Sequence, residues 1–235
     1  MIVGSLRTVF ACLFTLALAG IMTLTSLVGR SEHAYFVLAR FYSRVVLAVC
    51  GIDLVVEGTD QVDFTRNHVL VANHASMFDI PAAVAAIPGD IRIAYKKELE
   101  RIPIFGWGLR FGPYIAIDRG NRQEAMHGIE DAADRIARGG LVLMFGEGTR
   151  TSDGKLQQFK RGPFNLAMKA GVPVVPVTIN GSYKILPKGA LLIRPGTITV
   201  VVERPVPPPI SDGREAELHL RDDVRAAIER HYTDQ

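Results

Sequence analysis

Cysteine is nearly absent from this sequence. The two thiols in 235 residues, Cys12 and Cys50, stand in no metal-ligand or redox spacing, which excludes a disulfide scaffold and a cysteine-based zinc site. Both lie in apolar surroundings and read as buried thiols in a reducing compartment. Runs of like charge are missing as well. The 27 Lys and Arg and 24 Asp and Glu leave a formal net charge of only +3 and are spread along the chain, so no basic stripe offers itself to a nucleic acid. An anionic lipid surface or a phosphate-bearing substrate suits this balance better. Internal repeats and a second domain are also lacking, and the length fits one α/β core with a short appendage.

What the sequence does hold is apolar residues, 48% of the total, and the excess is localised. Val9 to Val28 runs without a charge between Arg7 and Arg30, long enough for a helix to cross a hydrocarbon core. A cleaved signal peptide is the rival reading, because Ala17-Leu18-Ala19 resembles a processing site. The apolar run continues past that site, however, where a signal peptide turns polar, so anchoring is expected. Ala34 to Ile52 carries Arg40 and Arg44 on one helical face, the pattern of an interfacial helix with snorkelling arginines. Arginines are more numerous after the first segment than before it, which places the catalytic part on the cytosolic side. The expected location is a membrane, the bacterial inner membrane, with the catalytic domain facing the cytoplasm.

Residues 1–52 are thus expected to form a membrane-anchoring helix or helix pair, and residues 53–235 the catalytic domain. After Gly51 short β-rich runs alternate with helical stretches, which predicts a single α/β domain with a largely parallel mixed sheet flanked by helices. The expected strands are Leu54 to Glu57, Val69 to Ala72, Ile91 to Tyr95, Tyr114 to Ile117, Leu141 to Phe145, Val174 to Ile179 and Ile198 to Glu203. Asn121 to Arg138 has helical periodicity and stops before Gly139-Gly140. Pro205 to Pro209 reads as a stiff connector into a terminal helix whose apolar stripe is Leu220, Val224, Ala227 and Ile228.

Three strand ends carry residues suited to chemistry, the place where α/β folds build their sites. In Asn73-His74-Ala75-Ser76-Met77-Phe78-Asp79, the five-residue spacing puts His74 and Asp79 about 140° apart on a regular helix. They meet only if His74 lies in the loop and Asp79 in the first helical turn. Asp79 would then fix one imidazole nitrogen and leave the other free to take a proton; its bland alternative is helix capping beside Pro81. Phe145-Gly146-Glu147-Gly148-Thr149-Arg150 follows another apolar strand, with glycines that let backbone amides approach an anion and an arginine fork matched to phosphate. The spacing to Gly154-Lys155-Leu156 is not that of a P-loop. At the third end, Asp118-Arg119 offers either a phosphate ligand or a surface ion pair.

Together these stretches resemble the 1-acyl-glycerol-3-phosphate acyltransferases of the glycerolipid acyltransferase family, over about residues 69–183. His74 through Asp79 is similar to that family's H-x4-D motif and Lys96-Lys97-Glu98-Leu99 to its K-E-L segment. Gly112 to Arg119 is similar to its second block, Phe145 to Arg150 to its E-G-T-R block, and Val172 to Val177 to its late Val-Pro block. One residue departs: the family usually has proline where this chain has Gly146, and the change predicts a looser loop.

The resemblance implies that His74 is the base and Asp79 orients it. It further implies that Glu147, Gly148, Thr149 and Arg150 shape the acceptor site, with Arg150 and Lys97 on the phosphate; Lys96 competes with Lys97 for that role, and Arg119 stays a candidate phosphate ligand from its place at the third strand end. The implied reaction moves a fatty acyl group from acyl-CoA or acyl-acyl carrier protein to the sn-2 hydroxyl of 1-acyl-sn-glycerol 3-phosphate, giving phosphatidic acid. It needs no metal and no cofactor beyond that co-substrate. Ser76 lies inside the motif but in no G-x-S-x-G elbow, so no acyl-serine is expected. The alternatives are another lysophospholipid or glycerol 3-phosphate as acceptor, a metal-dependent hydrolase using His74, Asp79 and Glu147, disfavoured by the shortage of His and Cys, and a noncatalytic lipid-binding module. Ile102 to Phe111, with Trp107, is equally suited to line an acyl groove, touch the bilayer or pack in the core.

Overall fold

The computed structural model describes residues 2–29, 32–118, 128–130, 132–134, 136, 139–210 and 213–233. Its centre is a seven-stranded sheet of β1 (Ile52–Glu57), β2 (His68–Ala72), β3 (Ile91–Lys96), β4 (Ile115–Ile117), β5 (Leu141–Phe145), β6 (Val174–Asn180) and β7 (Gly196–Val202). The spatial order is β1-β7-β6-β2-β5-β3-β4. Strands β6, β2, β5, β3 and β4 are mutually parallel; β7 turns antiparallel to β6 and pairs in parallel with β1. The expected strands are all present, with ends that match or differ by at most two residues.

Continuous apolar runs make the central strands because both faces of the sheet are covered. Along β2 the side chains alternate. Leu70 and Ala72 enter a core with Tyr35, Val46, Leu47, Cys50 and Ala82, while Val69 and Val71 enter the opposite core with Phe164, Leu220, Val224 and Ile228. Burying each aliphatic side chain of this size contributes roughly 1.5–3 kcal/mol. The first layer consists of α2 (Glu32–Val49) and α3 (Asp79–Ala86). The second contains α5 (Gly162–Ala170) and α7 (Arg214–His231); the short α4 (Phe105–Phe111) follows β3 in the chain, and the short α6 (Ser182–Ile185) buries Ile185 in the first core. Residues 128–130 and 132–134 of the expected Asn121 to Arg138 helix are helical, and the rest of that segment lies largely outside the described residues.

Helix α1 (Ile2–Leu27) is 26 residues long, with a stretch from Val3 to Leu27 of mean hydropathy 2.0. Only its inner face, Leu18, Ala19, Met22 and Thr23, is buried, while Val3, Leu6, Val9, Leu13, Ile21, Leu24 and Leu27 are exposed. Near its start, the Thr8 hydroxyl donates to Leu191 O at 2.8 Å. Further along, Ala19 packs on Gly108 and Gly20 on Ile104, both beside α4. From Gly4, which meets Ile193 O, to Gly20 the helix rises about 24 Å. It therefore lies along the surface of the α/β body for most of its length.

Three expectations about this region change. Arg40 does not snorkel: it donates to Val84 O, Ile87 O and Gly89 O at 3.4, 3.2 and 2.5 Å, satisfying orphan carbonyls at the end of α3. Cys12 is exposed and only Cys50 is buried, because no protein covers the outer face of α1. The 205–209 connector is more than a spacer, since Val206 exchanges two backbone hydrogen bonds with Val174 beside the sheet.

Candidate active site

Parallel strands end on one edge, so the loops after β2, β5, β3 and β4 share that edge of the sheet. Adjacent strands lie about 4.8 Å apart. The loop after β5 thus starts about one spacing from the loop after β2, and the loop after β3 about two.

The loop after β2 is fastened before it reaches His74. Buried Asn73 donates to Ile179 O at 2.9 Å and accepts from Ile179 N at 2.7 Å, which ties it to β6. The carbonyl of His74 accepts from Thr151 N at 2.9 Å, and its ring stacks on Phe145 with centroids 3.8 Å apart and planes 15° from parallel. His74 Nδ1 lies 2.7 Å from Asp79 Oδ2. The other ring nitrogen, Nε2, makes no hydrogen bond to a described residue, and the His74 side chain keeps 14% of its surface exposed.

Asp79 is fully buried. It opens α3, yet its carboxylate does not cap that helix. Oδ2 instead accepts from Ala75 N at 2.7 Å and Ser76 N at 2.8 Å, amides that precede it in the chain. Three donors on one oxygen fix the carboxylate, and the carboxylate fixes the imidazole as the tautomer with its proton on Nδ1. Ser76 is also fully buried; its hydroxyl donates to Leu186 O at 2.9 Å and is spent on structure.

Glu147 turns inward, being 3% exposed. Its Oε1 accepts from His74 N at 3.0 Å, so it touches the site through the backbone of His74. Burial raises its pKa to about 7. The backbone amides of His74 and Gln157 pull the other way, Asp79 adds to the rise, and Arg225 opposes it. Glu147, His74 and Asp79 thus face one another as a hydrogen-bonded chain, with Glu147 on the amide and Asp79 on the ring, rather than as three ligands converging on one point.

Gly146 is not in a loose loop. Its N–H donates to Ala72 O at 2.8 Å and its carbonyl accepts from Lys160 N at 2.7 Å. A Cβ there would lie 2.8 Å from the Phe159 ring, so the bare Cα is what lets Phe159 pack against this turn. Gly148 follows with φ 73°, a left-handed position that glycine takes without cost. Thr149 is exposed and Arg150 half-buried. Lys97 is exposed at the start of the turn after β3, and the neighbouring Lys96 is paired with Glu98 at 3.1 Å. Arg119 lies outside the described residues.

Two contributors escaped sequence reasoning. Phe145 backs the imidazole, and the Leu186 carbonyl holds Ser76. The first had a signal, an aromatic residue closing a strand just before the glycine turn. The second depends on a loop 110 residues away and had none.

A fixed imidazole with one nitrogen left over, at the strand-end edge of a parallel sheet, defines a site suited to proton transfer. Comparison with known proteins gives that site its family. Residues 53–180 match the Acyltransferase family model, more than half of the sequence, and the chain belongs to that family. A 1-acyl-sn-glycerol-3-phosphate acyltransferase of Chlamydomonas reinhardtii is 38% identical over 60% of this chain and 42% of its own length. One of Saccharomyces cerevisiae is 30% identical over 73% of this chain and 59% of its own length. The chain therefore spans about half the length of these relatives. Among solved structures, the 1-acyl-sn-glycerophosphate (LPA) acyltransferase PlsC of Thermotoga maritima superposes with a TM-score of 0.78 at 27% identity, covering 96% of this chain and 93% of that one.

Proposed function

We propose that this protein transfers a fatty acyl group from an acyl thioester, acyl-CoA or acyl-acyl carrier protein, to the sn-2 hydroxyl of 1-acyl-sn-glycerol 3-phosphate, forming phosphatidic acid for phospholipid synthesis. The observation that carries the reading is the 2.7 Å contact between His74 Nδ1 and Asp79 Oδ2, which leaves Nε2 as a free base. The acceptor hydroxyl gives its proton to Nε2 as its oxygen attacks the thioester carbonyl. The tetrahedral intermediate collapses by breaking the C–S bond, and the imidazolium returns the proton to the departing thiolate. The adjacent carboxylate stabilises the imidazolium that forms between the two transfers.

Arg150, whose neighbour Thr151 bonds the His74 carbonyl, is the first proposed phosphate ligand. Lys97, at the start of the turn after β3, is a second, Arg119 is carried as a third from the sequence alone, and Gly148 and Thr149 contribute backbone and hydroxyl donors. Glu147 acts through the His74 backbone. The chain associates with a membrane through α1, and contacts with the α/β body spread over about 24 Å of helix support its lying in one leaflet. The cytoplasmic face of a bacterial inner membrane is the proposed location.

The test is an assay of the purified full chain with acyl-CoA and acyl-acyl carrier protein against a panel of lysolipids and glycerol 3-phosphate, with products identified by mass. Phosphatidic acid from 1-acyl-sn-glycerol 3-phosphate should dominate. A faster reaction with another acceptor would replace the substrate assignment, and binding of lysophosphatidate without any thioester-dependent product would replace the enzyme by a lipid-binding module.

A further inference from the structure

We infer that the loop of residues 186–195, between α6 and β7, is a second membrane-docking element, inserting Leu191 and Leu192 into an anionic phospholipid surface beside the acceptor edge of the site. The inference rests on the membrane reading above but on different residues.

The loop is held firmly and yet turns leucines outward. Ala190 N donates to Pro187 O at 3.0 Å and Arg194 N to Ile185 O at 3.0 Å, closing its turn and its base. Ile193 is buried, whereas Leu191 is 79% exposed and Leu192 42% exposed. An ordered backbone with an apolar tip keeps that tip in water at a cost that only an apolar partner removes.

Two contacts say where the tip sits. On one side, Thr8 accepts from Ile193 N at 3.3 Å and donates to Leu191 O at 2.8 Å, which places the leucines against the first turns of α1, beside its exposed Val3, Leu6 and Val9. On the other side, the Leu186 carbonyl takes the Ser76 hydroxyl of the His74 loop, and the Lys188 ammonium lies 3.5 Å from Arg150 O. The loop thus bridges the apolar helix and the catalytic loops.

Charge selects the occupant. Lys188 and Arg194 flank the leucines, and from Asp153 to Glu203 the sequence holds seven Lys and Arg between those two residues and no carboxylate. Apolar tip, cationic shoulders and continuity with α1 fit the interface of a bilayer rich in anionic lipid. Docked this way, the loop holds Lys188 and Arg150 at the depth of lipid phosphates.

The experiment places an environment-sensitive fluorophore on Leu191→Cys in a Cys12→Ser background of the full chain, Cys50 being buried. Leu13→Cys on α1 and Asp222→Cys on α7 serve as references. With phosphatidylcholine–phosphatidylglycerol vesicles, position 191 should shift to the blue and be quenched by lipid-borne nitroxides as strongly as position 13, while position 222 stays unchanged. Lys188→Ala with Arg194→Ala should lower the preference for phosphatidylglycerol vesicles over pure phosphatidylcholine by about fivefold per cation. Quenching at 13 but not at 191 overturns the loop assignment and leaves the membrane reading intact; silence at both overturns both. A response at 191 to acyl carrier protein or to self-association, without one to vesicles, overturns it as well.

Discussion

At the scale of single residues, the site depends on one carboxylate oxygen serving three donors. Asp79→Asn keeps the shape but loses the charge that stabilises the imidazolium, so kcat should fall about a hundredfold with little change in KM. Asp79→Ala strands the buried amides of Ala75 and Ser76 and should also lower thermal stability, by roughly 1–3 kcal/mol for each unpaired donor. Glu147 carries the pH dependence. Its carboxyl titrates near 4.5 in the unfolded chain and at about 7 when folded. The folded state therefore favours the neutral acid, and the wild type loses stability as pH rises from about 4.5 through 7. Glu147→Gln stays neutral, so its stability and melting temperature should gain on the wild type across that window, the stability by roughly 3 kcal/mol. A constant offset between the two would contradict the burial account. His74 and Asp79 were legible because H-x4-D admits a meeting only at a loop-to-helix junction. The inward turn of Glu147 was not, since a glutamate between two glycines carries no mark of which side of the turn it takes.

At the scale of elements, the turn after β5 and helix α1 make opposite demands. The turn must be tight: replacing Gly146 by proline removes the donor to Ala72 O and drives a side chain into Phe159. Gly146→Pro should then destabilise the chain by about 1–3 kcal/mol, and a melting temperature equal to the wild type would show that the turn is as loose as the sequence suggested. The sequence could not reveal Phe159 as the reason for this glycine, because their contact crosses a loop. Helix α1 must instead leave a face open. Its length and hydropathy were plain, but those quantities do not distinguish a span from a helix lying flat. The contacts of Gly4, Thr8, Ala19 and Gly20 are what support the proposal that it lies flat. Trp107, the only tryptophan, is 49% exposed on α4 beside α1, which supplies an intrinsic reporter. Its emission should be strongly quenched by brominated lipids, whereas a tryptophan facing only the protein interior would ignore them.

At the scale of the whole molecule, the five mutually parallel strands end on one edge of the sheet while α1 and α2 pack against the flank. The alternation of short apolar strands and helices made the α/β class readable, since two covered faces demand continuous apolar runs. The order of those strands was not readable, because sequence periodicity says nothing of which strand neighbours which. The same packing draws α2 into the core: Tyr35, Val46 and Leu47 share a cluster with the sheet, so α2 and the α/β core are one folded body. Removal of residues 1–52 should accordingly expose that core and leave an insoluble or unfolded chain instead of a soluble enzyme, a result that expression and circular dichroism would register.

The central claim is that His74 takes the proton of the acceptor hydroxyl. Its most direct test is thiol release in single turnovers of His74→Ala, purified with a melting temperature matching the wild type and supplied with acyl thioester and 1-acyl-sn-glycerol 3-phosphate. The rate should fall about a hundredfold to ten-thousandfold, as expected for loss of a positioned general base, and the acceptor should still bind. A folded variant that releases thiol at close to the wild-type rate would contradict the account.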